Sequence, residues 1–360
     1  MVSPLETALI KRIRKDGPLS VSAYMQACLT DPKYGYYTSR EAVIGKSGDF
    51  ITSPEISQMF GEVFGVALAD LWIQAGSPDN VTLIEAGPGK GTLIADILRA
   101  TRSLPKFHAS LHVALIEASP PLKAMQEKAL SEFDLPNPVQ WVDYPTKIKA
   151  QGPVLIIANE FFDALPVDQY VLTKDGWLER RIGVNGEGQL EYINVLSDTA
   201  HLTLPQGPSL GAIAEISEHR TNALLALAEL LKKQGGAAYI IDYGYTEGWG
   251  DTLQGVKNHA FADVLQNCGE VDLSAHVDFY ALALTAHKAG LETYGARDQG
   301  LTLKTLGIEL RAGALKAKAT PEQAKDIDVA LSRLTAREEM GRLFKVLGLA
   351  TRPLVPAGFS

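Results

Sequence analysis

The hydrophobic positions early in the chain recur at helical spacing. This pattern over residues 1–78 predicts an N-terminal helical segment. Within it, Ser53, Pro54 and Glu55 supply an N-cap residue, a first-turn proline and an early acid, so we expect one helix from Ser53 to near Gly76. Its apolar residues fall on one stripe that should face the core. They are Ile56, Met59, Phe60, Val63, Phe64, Leu68, Leu71 and Trp72.

Beyond residue 78 the pattern changes to short apolar runs that alternate with helical segments. This alternation is typical of a parallel α/β sheet with helices packed on its faces. The fourth run, at 154–158, and the fifth run, at 238–241, are separated by 79 residues. This distance is too long for one crossover helix and implies an insertion. The five runs cover residues 81–86, 111–116, 139–142, 154–158 and 238–241.

The insertion has the turn chemistry of β-hairpins. Lys174-Asp175-Gly176 and Asn185-Gly186 interrupt runs rich in Val, Tyr, Trp and Ile, so two hairpins are predicted. A Leu-rich helix over 218–233 should return the chain to the sheet, and the tail over 301–347 looks helical. We therefore expect an α/β, Rossmann-like fold. The N-terminal cap and the insertion should fold over a ligand site at the carboxyl ends of the strands. The predicted parts are an N-terminal helical cap at 1–78, a core at 79–167 and 218–360, and an inserted, β-rich, substrate-side segment at 168–217.

Composition narrows the functional class. Apolar residues make up 46% and charged residues 21% of the 360 positions, which is typical of a folded globular protein. The formal net charge of −8, without long runs of one sign, argues against a nucleic-acid-binding protein. No apolar run reaches membrane-spanning length and the chain opens without a hydrophobic signal core. Cys28 and Cys268 belong to no metal-ligand spacing, so a reducing cytoplasm fits best.

The strongest local motif is an apolar strand that runs into Gly87-Pro88-Gly89-Lys90-Gly91 and then into a helix. Glycines at alternate positions let the backbone approach a ligand closely, as in nucleotide-binding loops. Glu85 precedes the first glycine by two positions, where its carboxylate would repel a pyrophosphate. It suits instead the ammonium and sulfonium groups of S-adenosylmethionine. The alternatives are an ordinary strand-to-helix turn and a nicotinamide-dependent dehydrogenase.

Acids also end the second and third predicted strands. Glu117 follows Gly91 by 26 residues, a distance that fits one helix, a loop and a strand, so it can accept hydrogen bonds from both ribose hydroxyls. Alternatively, Glu117 only begins the next helix. Asp143 ends the third strand, where its carboxylate could accept from an adenine amino group. We interpret the neighbouring Trp141 as a core residue rather than a stacking surface.

The fourth strand ends in a polar cluster with the candidate catalytic residues Asn159, Glu160 and Asp163. Chemistry gathers at the carboxyl ends of strands in open α/β sheets, and a carboxylate such as Glu160 can orient a guanidinium substrate. A polar strand end that caps the next turn explains these residues equally well. His276 is a further candidate base, in a segment that we expect to open a helix at Asp272, with Ser274 and Asp278 as capping residues. The other histidines show no ligand spacing, so no metal is predicted.

Taken together, these motifs resemble the mitochondrial complex I assembly-factor methyltransferase family, called MidA. The resemblance spans nearly the whole chain. A departure is Asn267-Cys268-Gly269, where a proline-glycine turn is expected, and it affects a loop on the substrate side. The segments that carry the resemblance are Pro18-Leu19-Ser20, residues 34–37, residues 48–62, residues 85–91, residues 159–166, residues 242–245 and residues 272–279.

The resemblance implies a class I methyltransferase fold that uses S-adenosylmethionine. It also implies dimethylation, which we expect to be symmetric, of an arginine on a core subunit of respiratory complex I, in support of complex I assembly. The loop from residue 48 to 55 then acquires a cofactor role, with Asp49, Thr52 and Ser53 as site candidates. The chain starts close to the family's first helix, so we expect a bacterial cytoplasmic member, or a trimmed form from the mitochondrial matrix. A non-catalytic, cofactor-binding assembly chaperone is the alternative from another functional class.

Overall fold

The computed structural model describes residues 2–39, 51–205 and 207–359. The described helices are α1 (Pro4–Asp16), α2 (Val21–Thr30), α3 (Tyr36–Ser39), α4 (Ser53–Ile56), α5 (Gln58–Gln74), α6 (Thr92–Ala100), α7 (Pro105–Ser110), α8 (Pro120–Leu130), α9 (Glu218–Gln234), α10 (Phe279–Lys288), α11 (Gln299–Thr305), α12 (Ile308–Lys316), α13 (Pro321–Thr335) and α14 (Met340–Leu343). The described strands are β1 (Leu19–Ser20), β2 (Val81–Ala86), β3 (Leu111–Ile116), β4 (Gln140–Val142), β5 (Val154–Asn159), β6 (Asp168–Thr173), β7 (Gly176–Val184), β8 (Leu190–Val195), β9 (Ile213–Ile216), β10 (Gly236–Tyr245), β11 (Gln254–Lys257), β12 (Ala260–Ala262), β13 (Asp272–Ser274), β14 (Val277–Asp278), β15 (Glu292–Asp298) and β16 (Phe344–Ala350).

The described residues form two compact units. We call residues 51–162, 222–246 and 277–359 the core unit, and the remaining described residues, at 2–39, 163–205, 207–221 and 247–276, the accessory unit. Residues 51–78, which the sequence pattern grouped with an N-terminal cap, pack within the core unit, because α5 lies against α6. That the cap and the insertion cover the ligand site stays a prediction.

The core unit is built on a mixed sheet with the order β15-β16-β10-β5-β2-β3-β4. The strands from β10 to β4 run parallel, and β16 is antiparallel to both of its neighbours. All five apolar runs predicted as strands lie in this parallel part, which confirms the α/β prediction. The central β2 and β5 are buried at every position, as expected for strands covered on both faces. The carboxyl ends of β2, β3, β4 and β5 therefore share one edge.

Two predictions about elements of the core unit were wrong. The predicted helix from Ser53 is interrupted at Ser57, whose extended backbone (φ −161°, ψ 138°) separates α4 from α5. The Ser57 hydroxyl accepts the backbone N–H of Met59 and so caps the second helix. Residues 344–347, predicted as helix, begin β16, because a short, mostly apolar run does not by its spacing distinguish a strand from a helix. The predicted core stripe of α5 is confirmed, since its apolar members from Met59 to Trp72 are buried.

The accessory unit contains two antiparallel sheets. The larger has the order β1-β7-β6-β9, with β8 also paired to β7, and its two tight connections are the predicted hairpin turns at 174–176 and 185–186. The smaller has the order β12-β11-β13. Asp272 lies in β13 and does not open a helix, and Ser274 caps none, because this segment pairs with β11. The helix begins later, at Phe279 in the core unit, where the carboxylate of Asp278 accepts the N–H of Ala281 at 2.9 Å as predicted.

Candidate functional site

The glycine loop that follows β2 has the backbone conformation that its glycines make possible. Gly87, Gly89 and Gly91 have φ angles of 68°, 52° and 82°, which side chains other than glycine rarely adopt. A Cβ atom on Gly87 would lie 3.0 Å from Cδ2 of Phe161. The loop leads directly into α6, so its backbone N–H groups stand at the start of a helix. This geometry confirms the predicted strand, glycine turn and helix.

Glu85, in β2, is a buried carboxylate with an unsatisfied atom. The side chain is 2% exposed, and its Oε2 has no hydrogen-bond partner among the described residues. Burial raises the pKa of Glu85 to about 8, although a hydrogen bond from the backbone N–H of Ile94 opposes this shift. The negative charges of Asp96 and Glu117 raise the pKa further. An ionised Glu85 therefore needs a cation, which an ammonium-bearing ligand can provide.

Glu117 follows β3 and is held by two donors. Its Oε1 accepts the backbone N–H of Ser119 at 2.7 Å, and its Oε2 accepts Nε2 of Gln126 at 2.9 Å. Burial raises the pKa of Glu117, and the hydrogen bonds from Ser119 and Gln126 offset part of this rise. Ser119 is the N-cap of α8, so Glu117 stands just before a helix N-terminus. Its position at the sheet edge fits the predicted ribose contact, which stays a prediction.

Gln126 is a residue that the sequence reasoning missed. It is fully buried on α8 and hydrogen-bonds to the carbonyl of Gly89, to Glu117 and to Nε1 of Trp141. The sequence signal for Gln126 is a polar residue on the buried face of a helix. It can be recognised only once the register of α8 is known. Trp141 packs against the hydrophobic core, as predicted.

Asp143, the predicted adenine partner, is exposed at the end of β4. Its carboxylate forms an ion pair with Lys147, with 2.7 Å between Oδ1 and Nζ. The hydrogen bond and charge of Lys147 lower the pKa of Asp143. The structure brings Asp143 to the predicted sheet edge, and an adenine contact there would compete with this lysine.

Of the loop candidates, Thr52 and Ser53 lie at the start of α4, and Asp49 lies outside the described residues. The backbone N–H of Ser53 donates to Oε1 of Glu160 at 2.9 Å, and its buried hydroxyl has no partner among the described residues. Thr52 is the N-cap residue by backbone conformation, but its side chain forms no capping hydrogen bond. Two residues further on, Glu55 accepts a hydrogen bond from Thr92, which begins α6. The start of α4 thus lies beside both the end of β5 and the glycine loop.

Glu160 directly follows β5 and has an unusual backbone. Its φ is +50°, a left-handed conformation that costs a residue with a side chain about 1–3 kcal/mol. Its backbone N–H donates to the carbonyl of Ile241 at 2.9 Å, and Oε1 also accepts Nδ2 of Asn159 at 3.0 Å. The side-chain oxygen of the buried Asn159 has no partner among the described residues. Asn159 and Glu160 therefore form a preorganised polar pair at the sheet edge.

Asp163 and His276, the other catalytic candidates, lie in the accessory unit. The buried guanidinium of Arg220 links their backbones, since it donates to the carbonyl of His276 at 2.7 Å and to that of Asp163 at 3.4 Å. Burial and the charge of Arg220 lower the pKa of His276. The Asp163 carboxylate accepts the N–H of Ala164 at 2.8 Å. The structure brings these two residues together within their unit, and their predicted catalytic roles stay predictions.

The residues of the core unit fit S-adenosylmethionine. The buried, unpaired oxygen of Glu85 matches the ligand's ammonium group, and the oriented carboxylate of Glu117 matches a ribose diol. The positive φ angles of Gly87, Gly89 and Gly91 give the loop a backbone free of bulky side chains, which suits a ligand lying close to it. Among residues 2–39, 51–205 and 207–359, no group of three or more His, Cys, Asp or Glu residues is placed to hold a metal. Within the same ranges, no helix combines the length and apolar character needed to cross a membrane.

Comparison with known proteins agrees with this chemistry. The model of a family described as "Putative S-adenosyl-L-methionine-dependent methyltransferase" matches residues 63–297. A mitochondrial protein arginine methyltransferase NDUFAF7 homolog of Drosophila melanogaster is 35% identical over 96% of this chain and 84% of its own length. The human mitochondrial protein arginine methyltransferase NDUFAF7 is 30% identical over 99% of this chain and 86% of its own length.

A solved structure supports the same fold. It is a protein from Burkholderia thailandensis crystallised with S-adenosyl-homocysteine, 24% identical, with a TM-score of 0.81 over 99% of this chain and 92% of that chain. The family match covers more than half of the present chain and decides against the dehydrogenase alternative. The chain belongs to the family of S-adenosyl-L-methionine-dependent methyltransferases that includes the NDUFAF7 proteins, and S-adenosylmethionine is its cofactor.

Proposed function

We propose that this protein is a protein arginine N-methyltransferase that acts on a core subunit of respiratory complex I and supports complex I assembly. The names of the curated relatives support arginine as the acceptor. The motif resemblance supports the complex I subunit and a symmetric dimethylated product, with one methyl group on each terminal guanidinium nitrogen. The proposed location is the bacterial cytoplasm, whereas the names of the curated relatives place them in mitochondria.

Glu160 is the observation that carries the proposal. A left-handed backbone on a residue with a side chain is costly, and such strain clusters at functional sites. It holds a carboxylate at the carboxyl end of β5, where Asn159 and the N–H of Ser53 fix the orientation of Oε1. Planar carboxylates pair well with guanidinium groups, so Glu160 is suited to orient an arginine.

The side chains have separate tasks in this account. When bound, the cofactor supplies an electrophilic methyl group on a sulfonium. Glu85 binds the ammonium group of the cofactor, and Glu117 binds its ribose. The backbone of the glycine loop lets the cofactor approach closely. Asp143 is proposed to accept from the adenine amino group, and Thr52, Ser53 and Asp49 to border the cofactor. Glu160 positions the acceptor nitrogen for in-line attack.

The acceptor must lose a proton, because a guanidinium is protonated in water and its nitrogen lone pairs are delocalised. Pairing with Glu160 localises electron density on the attacking nitrogen. His276 is the proposed group that receives the proton, since its lowered pKa keeps the ring neutral and able to accept. Asp163 is the proposed second carboxylate for the substrate.

The product identifies the reaction. The purified protein is incubated with S-adenosylmethionine carrying a deuterated methyl group and with the isolated complex I core subunit. Tandem mass spectrometry should find the label on an arginine side chain, with the fragments of a symmetric dimethylarginine. Label on another residue type would contradict the proposal. An unlabelled subunit that still co-purifies with the protein would favour the assembly-chaperone alternative.

A further inference from the structure

The side-chain amide of Gln126 connects three successive strand ends of the core unit. Its Nε2 lies 2.8 Å from the carbonyl oxygen of Gly89, in the glycine loop after β2, and 2.9 Å from Oε2 of Glu117, after β3. Its Oε1 lies 3.0 Å from Nε1 of Trp141, in β4. The side chain is fully buried, so water does not compete for these hydrogen bonds.

The chemistry of its three partners fixes the orientation of this amide. The Trp141 indole N–H only donates, whereas the Gly89 carbonyl and the Glu117 carboxylate only accept. Nε2 must therefore face the carbonyl and the carboxylate, and Oε1 must face the indole. A rotated amide would place N–H against N–H and oxygen against oxygen. One side chain thus sets the position of the glycine loop relative to Glu117.

The carboxylate of Glu117 is held in one orientation. One of its oxygens is held by the N–H of Ser119 and the other by Gln126, so the plane of its carboxylate is fixed. Each oxygen keeps a further lone pair that can accept from a hydroxyl group. A vicinal diol needs two acceptors at a defined spacing, which a freely rotating carboxylate offers only part of the time.

We infer that Gln126 is a positioning residue that gives the cofactor site its selectivity for adenosyl ligands with an intact ribose diol. It acts through the carboxylate of Glu117 and does not touch the reacting atoms. The inference rests on the proposed ribose role of Glu117.

Calorimetric titration of the full-length protein with S-adenosylhomocysteine and with its 2′,3′-dideoxy analogue tests the inference. In Gln126→Leu and in Gln126→Met, which preserves side-chain length, affinity for S-adenosylhomocysteine should fall roughly tenfold to a hundredfold, as expected when a buried hydrogen bond to a charged group is lost. Affinity for the dideoxy analogue should change much less. The ratio between the two affinities therefore reports on the ribose interaction, whereas a general loss of structure would weaken both ligands equally.

Gln140→Leu is the matched control, because Gln140 is a partly exposed glutamine in β4 whose amide hydrogen-bonds to the backbone of Lys149. It should leave both affinities unchanged. Equal losses for the two ligands, or unchanged binding in both Gln126 variants, would overturn the inference while the proposed function stands. Failure of the unmodified protein to prefer S-adenosylhomocysteine over the dideoxy analogue would overturn the ribose role of Glu117 and the inference with it.

Discussion

Glu85 is a buried residue that is unfavourable for the unliganded fold and that we propose as the partner of the cofactor's ammonium group. Its carboxylate is buried with one unsatisfied oxygen, and its pKa is raised to about 8. The native protein therefore holds a proton on Glu85 at pH values where the unfolded chain, with a pKa near 4.5, has lost it. Since stability falls with rising pH wherever the native state binds more protons, Glu85 destabilises the unliganded protein increasingly between about pH 4.5 and pH 8.

Glu85→Gln should remove this penalty because the amide resembles the protonated acid. We expect the variant to gain stability over the unmodified protein as pH rises from 5 to 8, reaching a few kcal/mol at the upper end. Urea unfolding of the unliganded proteins at several pH values measures this difference. Glu229→Gln, at an exposed position on α9, is the control and should show none. Parallel pH profiles for Glu85→Gln and the unmodified protein would contradict the prediction.

The same Glu85→Gln variant should bind S-adenosylhomocysteine more weakly, by about tenfold or more, because it loses a charge that faces an ammonium group. Higher stability together with weaker binding distinguishes a binding residue from a structural one. Calorimetry at pH 8 measures the affinity. A variant that is both more stable and an equally good binder would show that the ammonium group lies elsewhere.

Gly87 tests the close approach of the ligand to the loop. Gly87→Ala adds a methyl group 3.0 Å from Phe161 at a φ of +68°, so we expect binding of S-adenosylhomocysteine to weaken about tenfold, equivalent to roughly 1.4 kcal/mol. Gly76→Ala introduces similar backbone strain, at a φ of +89°, and is the matched control, because apart from its chain neighbours no atom of the described residues lies within 4 Å of the new Cβ. It should lower stability without altering affinity. Equal affinities for the two variants would show that the ligand does not approach Gly87.

At the scale of elements, the packing of α5 on α6 depends on glycine. A Cβ atom on Gly61 would lie 2.5 Å from Cβ of Asp96, so Gly61→Ala should force the helices apart and lower the free energy of unfolding by about 1–3 kcal/mol. Gly313→Ala, in α12, places its Cβ more than 4 Å from every atom of the described residues outside the neighbouring helix backbone, and should instead stabilise by about 0.5–1 kcal/mol through helix propensity. Chemical denaturation of both variants measures the contrast, and a stabilised Gly61→Ala protein would contradict the described packing.

The sequence pattern predicted the parallel strands well, because each contains a short, mostly apolar run bounded by polar or turn residues. It did not predict β15, whose residues are only partly buried, nor β16, whose apolar run resembles a buried helix. The break at Ser57 was missed because proline and acid at 54 and 55 are strong start signals for a helix, and one short polar residue gives no stop signal. The failures at β15 and β16 lie where strand pairing decides the structure, whereas the break at Ser57 comes from a local helix cap.

At the scale of the whole molecule, the candidate cofactor residues could be placed from the sequence more easily than the candidate catalytic residues. Glu85, Glu117 and the glycines follow from strand ends of one sheet, so their sequence positions placed them at one edge. Gln126 escaped notice because its hydrogen-bond partners come from three segments that are distant in sequence. The catalytic candidates divide between the units, with Asn159 and Glu160 in the core unit and Asp163 and His276 in the accessory unit. Their joint action stays a prediction.

The most direct test of the account separates cofactor binding from methyl transfer at Glu160. Single-turnover methylation of the complex I core subunit is measured at saturating S-adenosylmethionine for the unmodified protein, Glu160→Gln and the control Glu229→Gln. Because the amide oxygen can still accept the N–H of Ser53, we expect Glu160→Gln to fold and to bind the cofactor normally. Its transfer rate should fall about a hundredfold or more, with the control unaffected. An unchanged transfer rate in Glu160→Gln would contradict the account.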